Sequence, residues 1–150
     1  MLKGQDEHAF YLKELMRLQP IAYEEARKIF ASECDLREDG LEEKADLFRE
    51  VKCELYLFTF DCRIRNGDLI EGTALNRKER RFLRLRYVRA WSWRQLFEKM
   101  GYSADHCKRI HRDAIAKVAR HYPDADFETM YKMERARLSE LLTRVGEKLR

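Results

Sequence analysis

The 150-residue sequence contains few residues that interrupt helices, with only two prolines, Pro20 and Pro123, and six glycines. Proline lacks a backbone N–H and glycine adds backbone freedom, so both usually mark helix ends and turns. A chain of this length with so few of them is expected to be mostly helical. The sequence therefore predicts an all-α protein.

Cysteine is also sparse and irregularly placed. The four cysteines, at positions 34, 53, 62 and 107, form no Cys-x-x-Cys pair, and the four histidines are scattered. A zinc site is therefore not expected, and Cys107 is interpreted as a small core residue. Unpaired thiols are typical of a reducing compartment.

Two kinds of segment are missing. No apolar run approaches the roughly 18 residues that a membrane-spanning helix needs, and the N-terminus lacks the apolar centre of a secretion signal. There is also no Gly-rich phosphate loop, and the carboxylates alternate with basic residues as on solvated helix faces. The sequence predicts a cytoplasmic protein without a membrane span, a cofactor, a metal or catalytic activity.

Charge is distributed unevenly along the chain. Residues 76–121 contain fourteen Lys and Arg against four acids, a net charge of +10, whereas residues 1–75 have a net charge of −6. Such segregation is the electrostatic pattern of a nucleic-acid-binding module. The alternative reading of the charge alone is the solvated surface of a helical domain.

Helix-start signals divide the basic segment into three helices. Asn76 precedes Glu79 by three positions and Ser92 precedes Gln95 by three, so both pairs resemble capping boxes. Gly101 is expected to end a short helix over 92–100 in the left-handed conformation, before a helix over 103–121. This order predicts a helix-turn-helix, in which the second helix enters the major groove. Eight apolar residues of the segment are expected to be buried together: Leu83, Tyr87, Leu96, Met100, Cys107, Ile110, Ala114 and Val118.

The same segment resembles region 4 of bacterial sigma factors. The shared features are the Leu-Arg-Tyr sequence at 85–87, the Met-Gly-Tyr-Ser turn at 100–103, and the apolar positions of the following helix. Residues 109–114, Arg-Ile-His-Arg-Asp-Ala, are closer to phage late-gene transcriptional regulators of the RinA/ArpU type. Phe97 differs, because the family usually has a small Ala there.

The helix-turn-helix assigns roles to the polar residues of the segment. Residues near the start of the second helix read base edges, and the arginines that precede the motif hold phosphates. The candidate DNA-binding residues are Arg77, Arg80, Arg81, Arg84, Arg94, Ser103, Ala104, Asp105, His106, Lys108, Arg109 and Arg112.

Helical patterns also cover the flanking regions, 1–75 and 123–150. Helices are predicted over 6–19, 21–34 and 41–65, with Pro20 ending the first or opening the second. Asn66-Gly67 is expected to end the third helix and to begin a linker over 66–75. Residues 55–60 fit a buried helix or a strand, and the helix is favoured because the sequence offers no partner strand. The final segment is expected to form an amphipathic helix that folds back on the core or mediates homodimerisation.

These observations favour a sequence-specific, double-stranded-DNA-binding transcriptional regulator of phage or prophage origin. Its acidic region, 1–75, would be a scaffold or would contact RNA polymerase. The alternatives are a DNA-packaging assembly subunit of the small-terminase type and an antiterminator that engages RNA polymerase.

Overall fold

The computed structural model describes residues 2–149, and the side chains of residues 4–147. All regular structure in this range is helical, which confirms the predicted all-α class. No helix within it is long and apolar enough to cross a membrane. The six helices are α1 (Leu2–Glu38), α2 (Glu42–Glu71), α3 (Arg77–Tyr87), α4 (Trp93–Met100), α5 (Ala104–His121) and α6 (Phe127–Leu149).

The prediction that Pro20 separates two helices is wrong, because α1 continues through it as one helix of 37 residues. A proline at position 20 cannot donate to the carbonyl of Met16, which is the usual partner four residues earlier. In this fold the Asn66 side-chain amide donates to that carbonyl over 3.0 Å. Arg65 also donates to the carbonyl of Leu15, over 3.3 Å. A neighbouring helix therefore replaces the hydrogen bond that proline removes.

The end predicted for the next helix is also wrong. Helix α2 runs through Asn66-Gly67 to Glu71, so most of the predicted linker is helical. Asn66 is fully buried and makes tertiary hydrogen bonds, which outweigh the tendency of an Asn-Gly pair to form a turn. Residues 55–60 lie within α2, which confirms that this patch is helical. The expectation that it is buried is only partly right, because Tyr56, Leu57 and Phe60 are exposed.

Helices α1 and α2 pack against each other, and α6 packs on both. A buried ion pair joins the first two: Lys52 Nζ lies 2.6 Å from Glu33, whose side chain is 7% exposed. Phe127 and Leu138 are buried on the inner side of α6, while Arg144 pairs with Glu54 of α2 over 2.6 Å. The final helix thus folds back on the core, as one of its two readings predicted.

The core of the basic segment follows the apolar periodicity closely. Seven of its eight predicted core residues are buried, and Met100 is half-buried against them. The apolar periodicity of the N-terminal region also predicts Phe30 and Leu41 on the inner side, but these residues are 50% and 45% exposed. One cluster of buried side chains includes residues from all six helices.

Candidate nucleic-acid interface

Side-chain caps define the ends of α4 and α5. Ser92 accepts a hydrogen bond from the backbone N–H of Gln95, whose side chain accepts from the backbone of Ser92. Gly101 ends α4 in the left-handed conformation, with φ of 70°, which glycine adopts without steric cost. Ser103 then caps α5 by accepting from the N–H of His106 over 3.2 Å. The predicted caps at Ser92 and Gly101 are confirmed.

Polar contacts fix α5 against α3. Lys117 Nζ donates to Glu79 Oε1 over 2.7 Å, and the Glu79 side chain is 5% exposed. The same carboxylate closes the capping box of α3 with Asn76. At the end of α3, the Tyr87 hydroxyl lies 2.6 Å from His111 Nε2. Helix α5 is therefore attached to α3 at two points along its length.

Tyr87 is buried and His111 is half-buried. Burial lowers the pKa of His111 to about 4, and the nearby positive charges of Lys13 and Arg86 contribute in the same direction. Burial also raises the pKa of the Tyr87 hydroxyl. At neutral pH His111 is therefore uncharged, so the hydrogen bond between its Nε2 and the Tyr87 hydroxyl joins two neutral groups. His111 is thus a structural residue of this surface.

The candidate residues at the start of α5 are accessible. Ser103, Ala104 and Asp105 are exposed, and His106 is half-buried, with its ring 4.6 Å from that of Tyr102. The Tyr102 ring also lies 4.9 Å from the Lys78 ammonium of α3. Lys108, Arg109 and Arg112 are exposed.

The candidate arginines before α5 divide into three groups. Arg77 and Arg81 are exposed on α3. Arg84 pairs with Glu71, and Arg94 lies 3.3 Å from Glu98. Arg80 is half-buried and donates to the carbonyl of Thr73 over 3.4 Å, after the end of α2. Exposed ion pairs contribute only about 0–1 kcal/mol, so Arg84 and Arg94 can exchange their partners for phosphates, whereas Arg80 has a structural role.

The fold adds basic residues that the sequence did not indicate. The N-terminal half of α1 lies beside α5, and together with the end of α3 they form a groove of about 730 Å³. Lys108 and Arg112 line it from α5, while Lys13 and Arg17 line it from α1. Arg109 is not among its lining residues. No local signal in the acidic region could have identified Lys13 and Arg17, because only the packing of α1 places them there.

Comparisons with protein-family models, curated proteins and solved structures found no match. The resemblance to sigma region 4 therefore stays a prediction from the sequence. Within the described part of the chain, no group of three or more His, Cys, Asp or Glu side chains is arranged to hold a metal ion.

Proposed function

We propose that the chain is a sequence-specific DNA-binding transcriptional regulator of phage or prophage origin, and that α4 and α5 dock on duplex DNA as a helix-turn-helix. The observation that carries this proposal is the net charge of +10 over residues 76–121. Most of its exposed cations lie on α3 and α5, which are held together by the Glu79–Lys117 and Tyr87–His111 contacts. A rigid basic surface of this kind supports phosphate binding and base reading together.

The proposal gives different roles to exposed arginines on different helices. Arg109 lies near the start of α5, and its forked guanidinium can contact guanine O6 and N7, a contact that discriminates against a wrong base by about 1–3 kcal/mol. Arg77 and Arg81 lie on α3, before the helix pair, and would hold the backbone. Lys108 is a compact charge that suits a phosphate.

Selection of bound duplexes from a random pool tests the proposal directly. Wild type, Arg109→Ala and Arg81→Ala would then be measured against every single-base variant of the selected site. We expect Arg109→Ala to relax the preference at one base position, and Arg81→Ala, the matched control, to weaken all variants equally. If Arg109→Ala weakens every variant by the same factor, α5 does not read bases in this way.

Salt dependence tests the electrostatic part separately. About five or six phosphate contacts would give a slope near −5 for log K against log salt, because each contact releases condensed counterions. A slope near zero would mean that the basic segment is not a DNA surface. Its partner would then be sought among acidic proteins.

A second candidate is a DNA-packaging assembly subunit, and one feature of α2 favours it. Cys53, Leu57, Phe60 and Ile64 recur at steps of four, three and four residues, and all four are exposed. Apolar residues at this spacing on an outer helix face suit helix–helix association. Solution mass separates the candidates, since the regulator is expected as a monomer or dimer and the packaging subunit as a ring of eight or more copies.

A further inference from the structure

The groove between α1, α3 and α5 carries a concentration of positive charge. Its only carboxylate among the described lining residues is Asp6, so the lining charge is +4, as large as the formal charge of the whole chain. Like charges gathered on one concave surface produce a positive potential that attracts anions. Five cationic side chains from three helices line the groove: Lys13, Arg17, Arg86, Lys108 and Arg112.

Arg86 is the most informative of these residues. It is half-buried, its Nη1 donates to the carbonyl of Trp91 over 2.8 Å, and its Nε has no hydrogen-bond partner. No carboxylate in the described range forms a salt bridge with it. Burial lowers the pKa of this guanidinium, which reflects the cost of removing a charge from water. The guanidinium lies 5.9 Å from the centre of the Tyr87 ring, and it also lines the groove. A cation that is partly removed from water normally has a counter-charge, and the ring does not supply one.

The residues at the rim leave the positive charge largely uncompensated. Lys13 lies 5.5 Å from the centre of the Phe10 ring, and Lys108 is exposed. Arg17 and Arg112 have surface partners, Glu14 at 3.2 Å and Asp113 at 3.8 Å. Exposed pairs of this kind are weak enough to be replaced by a multiply charged ligand.

We propose that the groove is a binding site for a phosphate group, with the half-buried Arg86 as its anchor and Lys13 and Lys108 as its rim. A phosphate has several oxygens that can accept from more than one cation, and the guanidinium fork suits two of them. Phe10 and Trp93 also line the groove and offer aromatic surface beside the phosphate. The phosphate would come from a nucleic-acid backbone or from a free phosphorylated molecule. The proposal does not depend on base reading by α5.

The Arg86 Nε–H group gives a direct measurement, because its side-chain ¹H–¹⁵N resonance should respond when a phosphate binds beside the guanidinium. Labelled protein would be titrated separately with inorganic pyrophosphate and with a duplex of about 20 base pairs, a length that exceeds one helical turn of DNA. We expect at least one ligand to shift the Arg86 resonance saturably. A shift with pyrophosphate identifies free phosphate as sufficient, and a shift with the duplex alone identifies the nucleic-acid backbone.

Two substitutions on α1 make the test specific. Lys13→Gln should weaken the binding that Arg86 reports by about fivefold, which corresponds to the loss of one partly exposed charged contact. Lys28→Gln is the matched control, because Lys28 lies on the same helix, pairs with Glu25 and is outside the groove. Equal affinities for these two variants would overturn the assignment.

Two further outcomes separate this proposal from the function proposed above. If neither ligand shifts the Arg86 resonance, the groove is not a phosphate site, even where the duplex shifts backbone resonances at the start of α5. If the duplex shifts no resonance of α5 but pyrophosphate shifts Arg86, the phosphate site stands and the DNA-reading role fails.

Discussion

The continuity of α1 through Pro20 depends on one side chain of α2. Asn66 is fully buried, and its amide donates to the carbonyl of Met16 over 3.0 Å and to that of Tyr87 over 2.8 Å. The first carbonyl lacks its usual donor because of Pro20, and the second lies in the last turn of α3, where carbonyls have no intrahelical donor. We predict that Asn66→Ala destabilises the protein strongly.

The expected magnitude follows from these two bonds. Each buried carbonyl left without a donor costs about 1–3 kcal/mol. The Asn66 Oδ1 is itself buried without a hydrogen-bond partner, so removing it is stabilising and offsets part of this loss. We therefore expect Asn66→Ala to lower the free energy of unfolding by about 2–4 kcal/mol, as measured by urea denaturation.

A double-mutant cycle with Pro20→Ala isolates the part that concerns proline. Alanine at position 20 supplies the missing N–H, so the Met16 carbonyl no longer needs Asn66. In the Pro20→Ala background, Asn66→Ala should then cost about 1 kcal/mol less than in wild type, which is the net value of one hydrogen bond. The part of the Asn66→Ala destabilisation that comes from the Tyr87 carbonyl should be the same in both backgrounds.

Thr59→Ala provides a matched control for the cycle. Thr59 is a buried polar residue of the same helix, but its hydroxyl bonds the carbonyl of Leu55 within α2. Its coupling with Pro20→Ala should be close to zero. Equal costs of Asn66→Ala in both backgrounds, within about 0.3 kcal/mol, would refute the account of how α1 passes Pro20.

Three further predictions concern the basic segment and its junctions. Ile110→Ala should lower the free energy of unfolding by about 2–5 kcal/mol because it removes a buried contact of α5, and an unchanged thermal melt would contradict that packing. A methyl group at Gly72 would collide with the Tyr122 hydroxyl, so Gly72→Ala should lower the free energy of unfolding by about 1–2 kcal/mol. Gly67 lies in open space within α2, so Gly67→Ala should raise it by about 0.5–1 kcal/mol. Shifts of the urea midpoint in opposite directions would check both. The pKa of His111 is about 4 in the folded protein and an ordinary 6.5 in the unfolded chain, so the unfolded chain binds more protons between these pH values. The free energy of unfolding should therefore fall by up to roughly 3 kcal/mol from pH 6.5 to pH 4. His111→Gln should remove this part of the pH dependence.

Local signals made the helix ends of the basic segment predictable. The capping boxes at Asn76 and Ser92 and the left-handed Gly101 depend on residues within one turn of each other, so the sequence contains all of their determinants. The buried side of α5 was predictable for the same reason, because 3.6-residue periodicity is a property of one helix.

The errors lie where a distant residue outweighs a local rule. Pro20 and the Asn66-Gly67 pair both favour interruption of a helix, yet each lies inside one. One hydrogen bond between positions 50 residues apart explains both cases. The Asn66 amide donates to the Met16 carbonyl that Pro20 leaves without a donor, and the same bond holds Asn66 in a helical conformation. The groove could not be predicted from local patterns either, because Lys13 and Lys108 line the same groove only where α1 packs beside α5.

The position of α5 therefore depends on residues outside the basic segment. The Asn66 amide binds the carbonyl of Tyr87, and the hydroxyl of the same tyrosine binds His111 of α5. Tyr87 is 1% exposed, so its ring has little freedom to move without disturbing both contacts. A continuous set of hydrogen bonds thus connects Met16 of α1, through α2 and the end of α3, to the middle of α5. Although the N-terminal helices carry the acidic charge of the chain, they help to determine where its most basic surface lies.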